Sequence, residues 1–124
     1  MKELETFLER IRDSDPVLIL LFGSLATGKF TQHSDMDVLC VFALEFPSPR
    51  ERFLQSYRHS DGIVQPKSCS LREFKELVQN GDSFLLRILE EGYILQSAIS
   101  DSDLQKWISQ GKKRLRVALF PPNA

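Results

Sequence analysis

The segment LFGSLATGKFTQHSDMDVLCVF, residues 21–42, decides the fold, because it joins two apolar runs through a turn rich in small and polar residues. The run from Val17 to Phe22 is short and apolar throughout, and residues 36–42 form a second apolar run with β-branched members. Runs of this length predict β-strands that are covered on both faces of a sheet. Gly23 breaks the first strand, and two aspartates stand where the second begins.

The Gly23-Ser24 pair has the properties of a phosphate site. Glycine lets the backbone turn sharply and lets a ligand approach the main chain without meeting a Cβ. Ser24 offers a hydroxyl and an N–H where a short helix over about residues 24–29 is predicted to begin, and helix N-termini bind anions. Gly28 permits a second turn, and Lys29 supplies a positive charge for phosphates.

Asp35 and Asp37 have the spacing of a metal site at the start of a strand. Residues two apart on a strand point to the same face, so the two carboxylates repel each other unless a cation lies between them. A hard divalent ion such as Mg²⁺, bound by one or two carboxylates and by substrate phosphates, removes this conflict. A lone Gly-Ser pair is usually only a turn, and a lone Asp-x-Asp only a strand entry. The combination predicts metal-assisted phosphoryl or nucleotidyl transfer.

The rest of the chain alternates between helices and strands. Helices are predicted over residues 3–12, from a cap at Ser48 to about Arg58, from a cap at Ser70 through Val78, over residues 83–91 after Asp82, and from Asp103 to Gln110. Further strands are predicted over residues 61–70, where Pro66 suggests a sheet edge, and over residues 93–96. The fold class is therefore α+β, a small mixed β-sheet flanked by helices in a single domain of residues 1–124, with a loose C-terminal tail over about 112–124.

Charge and hydropathy exclude several functions. The 124 residues carry 16 basic and 17 acidic side chains, so no global field draws the protein to nucleic acid or to an anionic membrane. The longest apolar run is too short to span a bilayer, and the N-terminus lacks the features of a secretory signal, which favours the cytoplasm. Cys40 and Cys69 are expected to be reduced thiols. The basic cluster over residues 112–116 is read as a solvated tail, with RNA contact as an alternative.

These residues also carry a family resemblance. GSLATGKFTQHSDMDVLCVF resembles the GSxxxG…SDxD signature of the DNA polymerase β-like nucleotidyltransferase superfamily, in particular its minimal nucleotidyltransferase (MNT) members. CSLREFKELVQNGDSFLLRILEEGYILQ is similar to the helix, turn, helix and strand of that group, so the resemblance covers most of the chain. It implies the palm-like fold of polymerase β. Many members act as antitoxins beside a HEPN toxin, some by transferring AMP from ATP to a tyrosine of that toxin.

The resemblance and the residues together give the expected site and activity. The residues predicted to bind the nucleotide are Gly23, Ser24, Gly28, Lys29 and Ser34. Asp35 and Asp37 are predicted to be catalytic and to hold Mg²⁺ or Mn²⁺. The expected reaction is transfer of a nucleotide, AMP from ATP or another NTP, to a HEPN-type protein partner. Homo-oligomerisation is left open.

One expected acid is missing from this set. Members that transfer nucleotides usually have a third carboxylate on a neighbouring strand, and the resemblance places Gln65 there; an amide cannot serve as a general base. Asp61 could substitute only if the strand register differs, and Glu45 is read as a solvated loop charge. Leu25 stands where relatives often carry a basic or aromatic residue, which leaves Lys29 as the only nearby cation. The alternative is therefore a catalytically weak or inactive antitoxin module that masks its partner.

Overall fold

A computed structural model describes residues 2–23 and 36–122 of the chain. Within these residues the helices are α1 (Lys2–Ile11), α2 (Pro49–Tyr57), α3 (Leu71–Gln79), α4 (Ser83–Glu91) and α5 (Asp101–Leu119), with a short 3₁₀ turn at Arg12–Ser14. The strands are β1 (Leu18–Phe22), β2 (Met36–Phe42), β3 (Val64–Ser70) and β4 (Tyr93–Ser97). The α+β class predicted from the sequence is confirmed.

The strands form one mixed sheet in the order β3-β2-β1-β4. β1 pairs antiparallel with β2 and β4, whereas β2 and β3 are parallel and are connected through α2. β3 therefore lies at an edge, as Pro66 predicted, because proline donates no hydrogen bond to a neighbouring strand. The strand begins at Val64 rather than at residue 61, since the chain is still bent at residues 62 and 63.

Alternate side chains of β1 and β2 enter two apolar clusters on opposite faces of the sheet. In β1, Leu18, Leu20 and Phe22 enter the cluster that α3, α4 and α5 cover, which we call the α5 face. Ile19 and Leu21 enter the cluster that α1 covers with Phe7 and Ile11, which we call the α1 face. The burial of both faces explains why β1 is apolar at every position.

Polar caps set the starts of three helices near the sheet. Ser48 accepts the N–H of Glu51 (3.2 Å), Ser70 accepts the N–H of Glu73 (3.1 Å), and Asp82 accepts the N–H of Leu85 (2.9 Å). These bonds satisfy N–H groups that the first helical turn leaves without intrahelical partners. The starts of α2, α3 and α4 were therefore predictable from the sequence.

The end of α5 differs from the prediction. The sequence predicted a helix to Gln110 and a loose tail from about residue 112, but α5 continues to Leu119, so the tail was wrong over residues 112–119. Gly111, which follows the predicted end, lies inside the helix and is buried. A Cβ there would collide with the backbone carbonyl of Val78 in α3, so the glycine permits close packing of the two helices.

Both cysteines are buried free thiols, in agreement with the prediction. Cys40 lies in the cluster of the α1 face and Cys69 in the cluster of the α5 face. Burial raises the pKa of both thiols, that of Cys69 to about 12. Among the described residues, no helix has the length and hydropathy needed to cross a lipid bilayer.

Candidate functional site

Gly23 ends β1 in a backbone conformation that favours glycine. Its φ angle is +80°, where a residue with a Cβ is strained. A Cβ at Gly23 would also collide with the carboxylate of Asp37, whose Cγ would lie 3.3 Å away. The Asp37 carboxylate therefore lies in the space that a side chain at Gly23 would occupy.

The register of the sheet brings Asp37 to this position. Phe22 of β1 lies directly opposite Asp37 of β2. Met36 and Val38 enter the cluster of the α1 face, so the residue between them points to the α5 face, where Phe22 also lies. Asp37 is half-buried at the start of β2. One of the two acids predicted to bind metal thus lies against the glycine of the predicted phosphate site.

The other predicted site residues fall outside the part of the chain that the structure describes. Ser24, Gly28, Lys29, Ser34 and Asp35 all lie between residues 24 and 35. Their proposed roles in binding the nucleotide and the metal therefore stay predictions.

The position expected to hold a third acid is occupied by an amide. Gln65 of β3 is the register partner of Asp37 in the parallel pair β2 and β3, so both side chains point to the α5 face. Gln65 Nε2 donates a hydrogen bond to the carbonyl oxygen of Gly62 (2.6 Å), and Oε1 is the acceptor atom of the same amide. Residue 65 therefore has the placement of a third ligand without the charge of a carboxylate.

The two spare acids considered from the sequence are engaged elsewhere. The Asp61 carboxylate accepts a hydrogen bond from the Arg10 guanidinium of α1 (2.8 Å), and both side chains are largely exposed. Glu45 pairs with Arg72 of α3 (2.7 Å), and the hydrogen bond from this guanidinium lowers the pKa of Glu45. Neither residue belongs to β3, where the register partner of Asp37 lies.

The oxygen ligands at this corner fit a hard divalent ion. Mg²⁺ is usually bound by one or two carboxylates together with substrate phosphates, and Asp37 supplies one carboxylate while the Gln65 amide supplies a neutral oxygen. Across residues 2–23 and 36–122, no group of three or more acids, histidines or cysteines could enclose a metal by itself. The described donors therefore fit an ion that the substrate helps to bind.

A lysine on the same face was missed in the sequence analysis. Lys67 lies two residues after Gln65 on β3, so it points to the same face of the sheet, and Leu39 is its register partner on β2. Its ammonium lies 5.9 Å from the centre of the Phe84 ring, which packs edge-on against Phe22 at 5.8 Å. Lys29 is thus not the only candidate cation for binding a phosphate at this site. The period-two spacing of residues 65 and 67 was the signal that could have identified Lys67.

A groove of about 530 Å³ lies between α2 and the edge strand β3. Gln65 and Lys67 line it on the β3 side, and Arg52, Phe53 and Tyr57 line it on the α2 side. The rings of Phe53 and Tyr57 are stacked with their centres 4.5 Å apart. One of its lining residues, Gln65, is the register partner of Asp37.

A mixed sheet with an acid at the start of one strand, set against a glycine at the end of its neighbour, is the arrangement that the sequence led us to expect of a nucleotidyltransferase. Comparison with protein families supports this class, because the nucleotidyltransferase domain matches residues 1–96. The chain therefore belongs to the nucleotidyltransferase domain family. Comparison with curated proteins found no significant match.

Solved structures show the same fold. A chain of a toxin-antitoxin complex with AMP-PNP is 19% identical, with a TM-score of 0.62 over 92% of this chain and 90% of that chain. A chain of a mutant MntA-HpeT toxin-antitoxin complex is 21% identical, with a TM-score of 0.60 over 93% and 89%. A chain of the complex of tri-AMPylated Shewanella oneidensis HEPN toxin with MNT antitoxin is 19% identical, with a TM-score of 0.56 over 95% and 92%. At these identities the comparison shows that the fold is shared.

Proposed function

We propose that this chain is a Mg²⁺-dependent nucleotidyltransferase that transfers AMP from ATP to a hydroxyl group of a partner protein. The observation that carries the proposal is the close approach of the Asp37 carboxylate to Gly23, in the space that a Cβ would fill. A carboxylate beside a glycine turn lets a metal-bound phosphate lie against the main chain. Mn²⁺ or another NTP would satisfy the same geometry.

The proposed roles follow from charge and position. Ser24 and the adjoining amides hold the β- and γ-phosphates with help from Gly28, Lys29 and Ser34, and Asp35 and Asp37 hold the metal. When bound, Mg²⁺ would neutralise charge on the phosphates. The acceptor oxygen attacks the α-phosphorus and forms a new P–O bond, while the bond to the oxygen that bridges to the β-phosphate breaks. Pyrophosphate leaves with that electron pair, and the acceptor proton passes to solvent.

The partner is proposed to be a HEPN-type toxin, with this chain as its antitoxin. The structural neighbours support this assignment, since they come from toxin-antitoxin complexes, including one with MNT antitoxin and AMPylated HEPN toxin. We place the pair in the cytoplasm, where ATP is available and thiols such as Cys40 and Cys69 stay reduced. A small helical protein with an RxxxxH motif, encoded next to this chain, is the candidate acceptor.

Transfer from labelled ATP tests the proposal. The chain and the candidate acceptor are incubated with Mg²⁺ and ATP labelled at the α-phosphate, and label is expected on the acceptor. Asp37→Asn keeps the size of the side chain but removes its charge, and we expect transfer to fall at least a hundredfold. Glu45→Gln is the matched control, because Glu45 pairs with the exposed Arg72. Absence of labelling with every divalent ion tried would refute transfer to this acceptor.

A second function is favoured by Gln65. Because the residue opposite Asp37 is an amide, the site lacks a carboxylate at the position expected to complete a second metal site. The chain could then neutralise its partner by covering it, with nucleotide binding retained and transfer slow or absent. Toxicity of the partner in cells separates the two functions: Asp37→Asn leaves neutralisation intact if the chain acts by covering, and abolishes it if transfer is required.

A further inference from the structure

We infer that Lys67 binds a phosphate oxygen of the nucleotide and supplies the positive charge that a second divalent ion would otherwise bring. This inference rests on the proposed function and adds a residue to the same site. It is carried by the position of Lys67 on β3 and by the neutral side chain at residue 65. The roles proposed for Ser24, Asp35 and Asp37 do not assign any role to Lys67.

The position of Lys67 makes this contact possible. Gln65 and Lys67 lie on the same face of β3, roughly 6.6 Å apart at two strand residues, and Gln65 is the register partner of Asp37. Phe84 links the same groups, because the Lys67 ammonium lies over its ring and the ring packs on Phe22, which is opposite Asp37. Lys67 thus lies on the same face of the sheet as Asp37, on the neighbouring strand and two register positions further along.

The charge of Lys67 is available for a ligand. The side chain is exposed, and it forms no ion pair with any carboxylate in the described parts of the chain. Its ammonium contacts the Phe84 ring, an interaction that leaves its hydrogen-bond donors able to bind an anion. Phe84 is itself 49% exposed, so the pair lies open at the surface. Such an arrangement suits a phosphate that approaches along the α5 face.

The charge at residue 65 determines whether the Lys67 ammonium is available for phosphate. A carboxylate at residue 65 would attract a second cation, and it would also compete with phosphate for the Lys67 ammonium. With Gln65 in that place, the lysine has no acid beside it on β3 and can bind the phosphate directly. The protein would therefore bind one divalent ion and one ammonium where a three-acid site binds two ions. In the alternative, Lys67 is a surface side chain that contacts Phe84 and binds no phosphate.

Binding of a nucleotide analogue tests the role of Lys67 without relying on turnover. The probe is α,β-methylene-ATP, which cannot be cleaved between the α- and β-phosphates. Its binding in the presence of Mg²⁺ is measured by calorimetry. Lys67→Met is expected to weaken binding about tenfold, as for the loss of a hydrogen bond to a charged group. Lys67→Arg should bind nearly as well as the unchanged protein. Lys75→Met is the matched control, because Lys75 also lies over an aromatic ring, Trp107, at 5.4 Å.

The number of bound ions gives an independent readout. With saturating α,β-methylene-ATP, titration with Mn²⁺ followed by electron paramagnetic resonance should give one tightly bound ion per chain. The double variant Gln65→Asp/Lys67→Met should bind two. Lys67→Met with unchanged affinity, or two tight ions in the unchanged protein, would overturn the role of Lys67 and leave the proposed transferase intact. Failure of the unchanged protein to bind the analogue would overturn both.

Discussion

Replacement of Gly23 by alanine should displace the Asp37 carboxylate and destabilise the protein. The φ angle of +80° costs a residue with a Cβ roughly 1–2 kcal/mol. The new methyl group would also collide with the carboxylate, and rotation of the Asp37 side chain away from its preferred conformation costs roughly 0.5–1.5 kcal/mol. The free energy of unfolding should therefore fall by about 2–3 kcal/mol, and nucleotide transfer about a hundredfold, because the carboxylate is misplaced.

Urea unfolding of two glycine variants separates these contributions. Gly62 also has a positive φ angle, +109°, but a Cβ at that position would meet no atom within 4 Å. Gly62→Ala therefore tests backbone strain without a collision. We expect Gly23→Ala to lose more stability than Gly62→Ala, and to lose affinity for Mg²⁺ and ATP that Gly62→Ala retains.

A double-mutant cycle tests the contact itself. Asp37→Ala removes the colliding carboxylate and keeps the Cβ, which would lie 3.4 Å from the new methyl group. In this background the cost of Gly23→Ala should be smaller by about 0.5–1.5 kcal/mol, within the range of coupling energies between residues in contact. An equal cost in both backgrounds would refute the reasoning, because Gly23 would then be required only for its backbone conformation.

Three further predictions concern the fold. Gly111→Ala should lower the free energy of unfolding by roughly 1–3 kcal/mol, because the new methyl group meets the Val78 carbonyl. This loss is expected although alanine favours helices more than glycine does. Thermal unfolding measures it, with Ser109→Ala at an exposed position of the same helix as the control. Ser70→Ala should cost about 1 kcal/mol by removing the cap on the Glu73 N–H, and unchanged urea unfolding would contradict that role. Burial raises the pKa of the Cys40 and Cys69 thiols, so above about pH 9 the unfolded chain loses their protons first, and stability should fall by up to about 1.4 kcal/mol per pH unit for each thiol. Urea midpoints between pH 8 and 10.5 measure this slope, and it should disappear in Cys40→Ala/Cys69→Ala.

The sequence predicted those features that short-range chemistry determines. The caps at Ser48, Ser70 and Asp82 marked helix starts correctly, because each needs only a side chain and an N–H three residues later. The end of α5 was placed too early because the packing of Gly111 against Val78 of α3 is a tertiary contact that the local pattern does not show. Lys67 was missed for a related reason, since the Phe84 ring under its ammonium belongs to α4, another element of the fold.

The parallel pairing of β2 and β3 explains why the glutamine at residue 65 matters for the chemistry of the site. Because the register places this residue beside Asp37 whatever its side chain, the identity of residue 65 changes the chemistry of the site without changing the fold. Substrate binding needs a carboxylate, a cation and a site for the phosphates. An amide at residue 65 removes none of these three. Activation of the acceptor hydroxyl is different, since an amide cannot accept its proton. The loss of a carboxylate at residue 65 should therefore slow the chemical step more than it weakens nucleotide binding, and a lysine two residues along the strand can compensate for missing charge but not for a missing base.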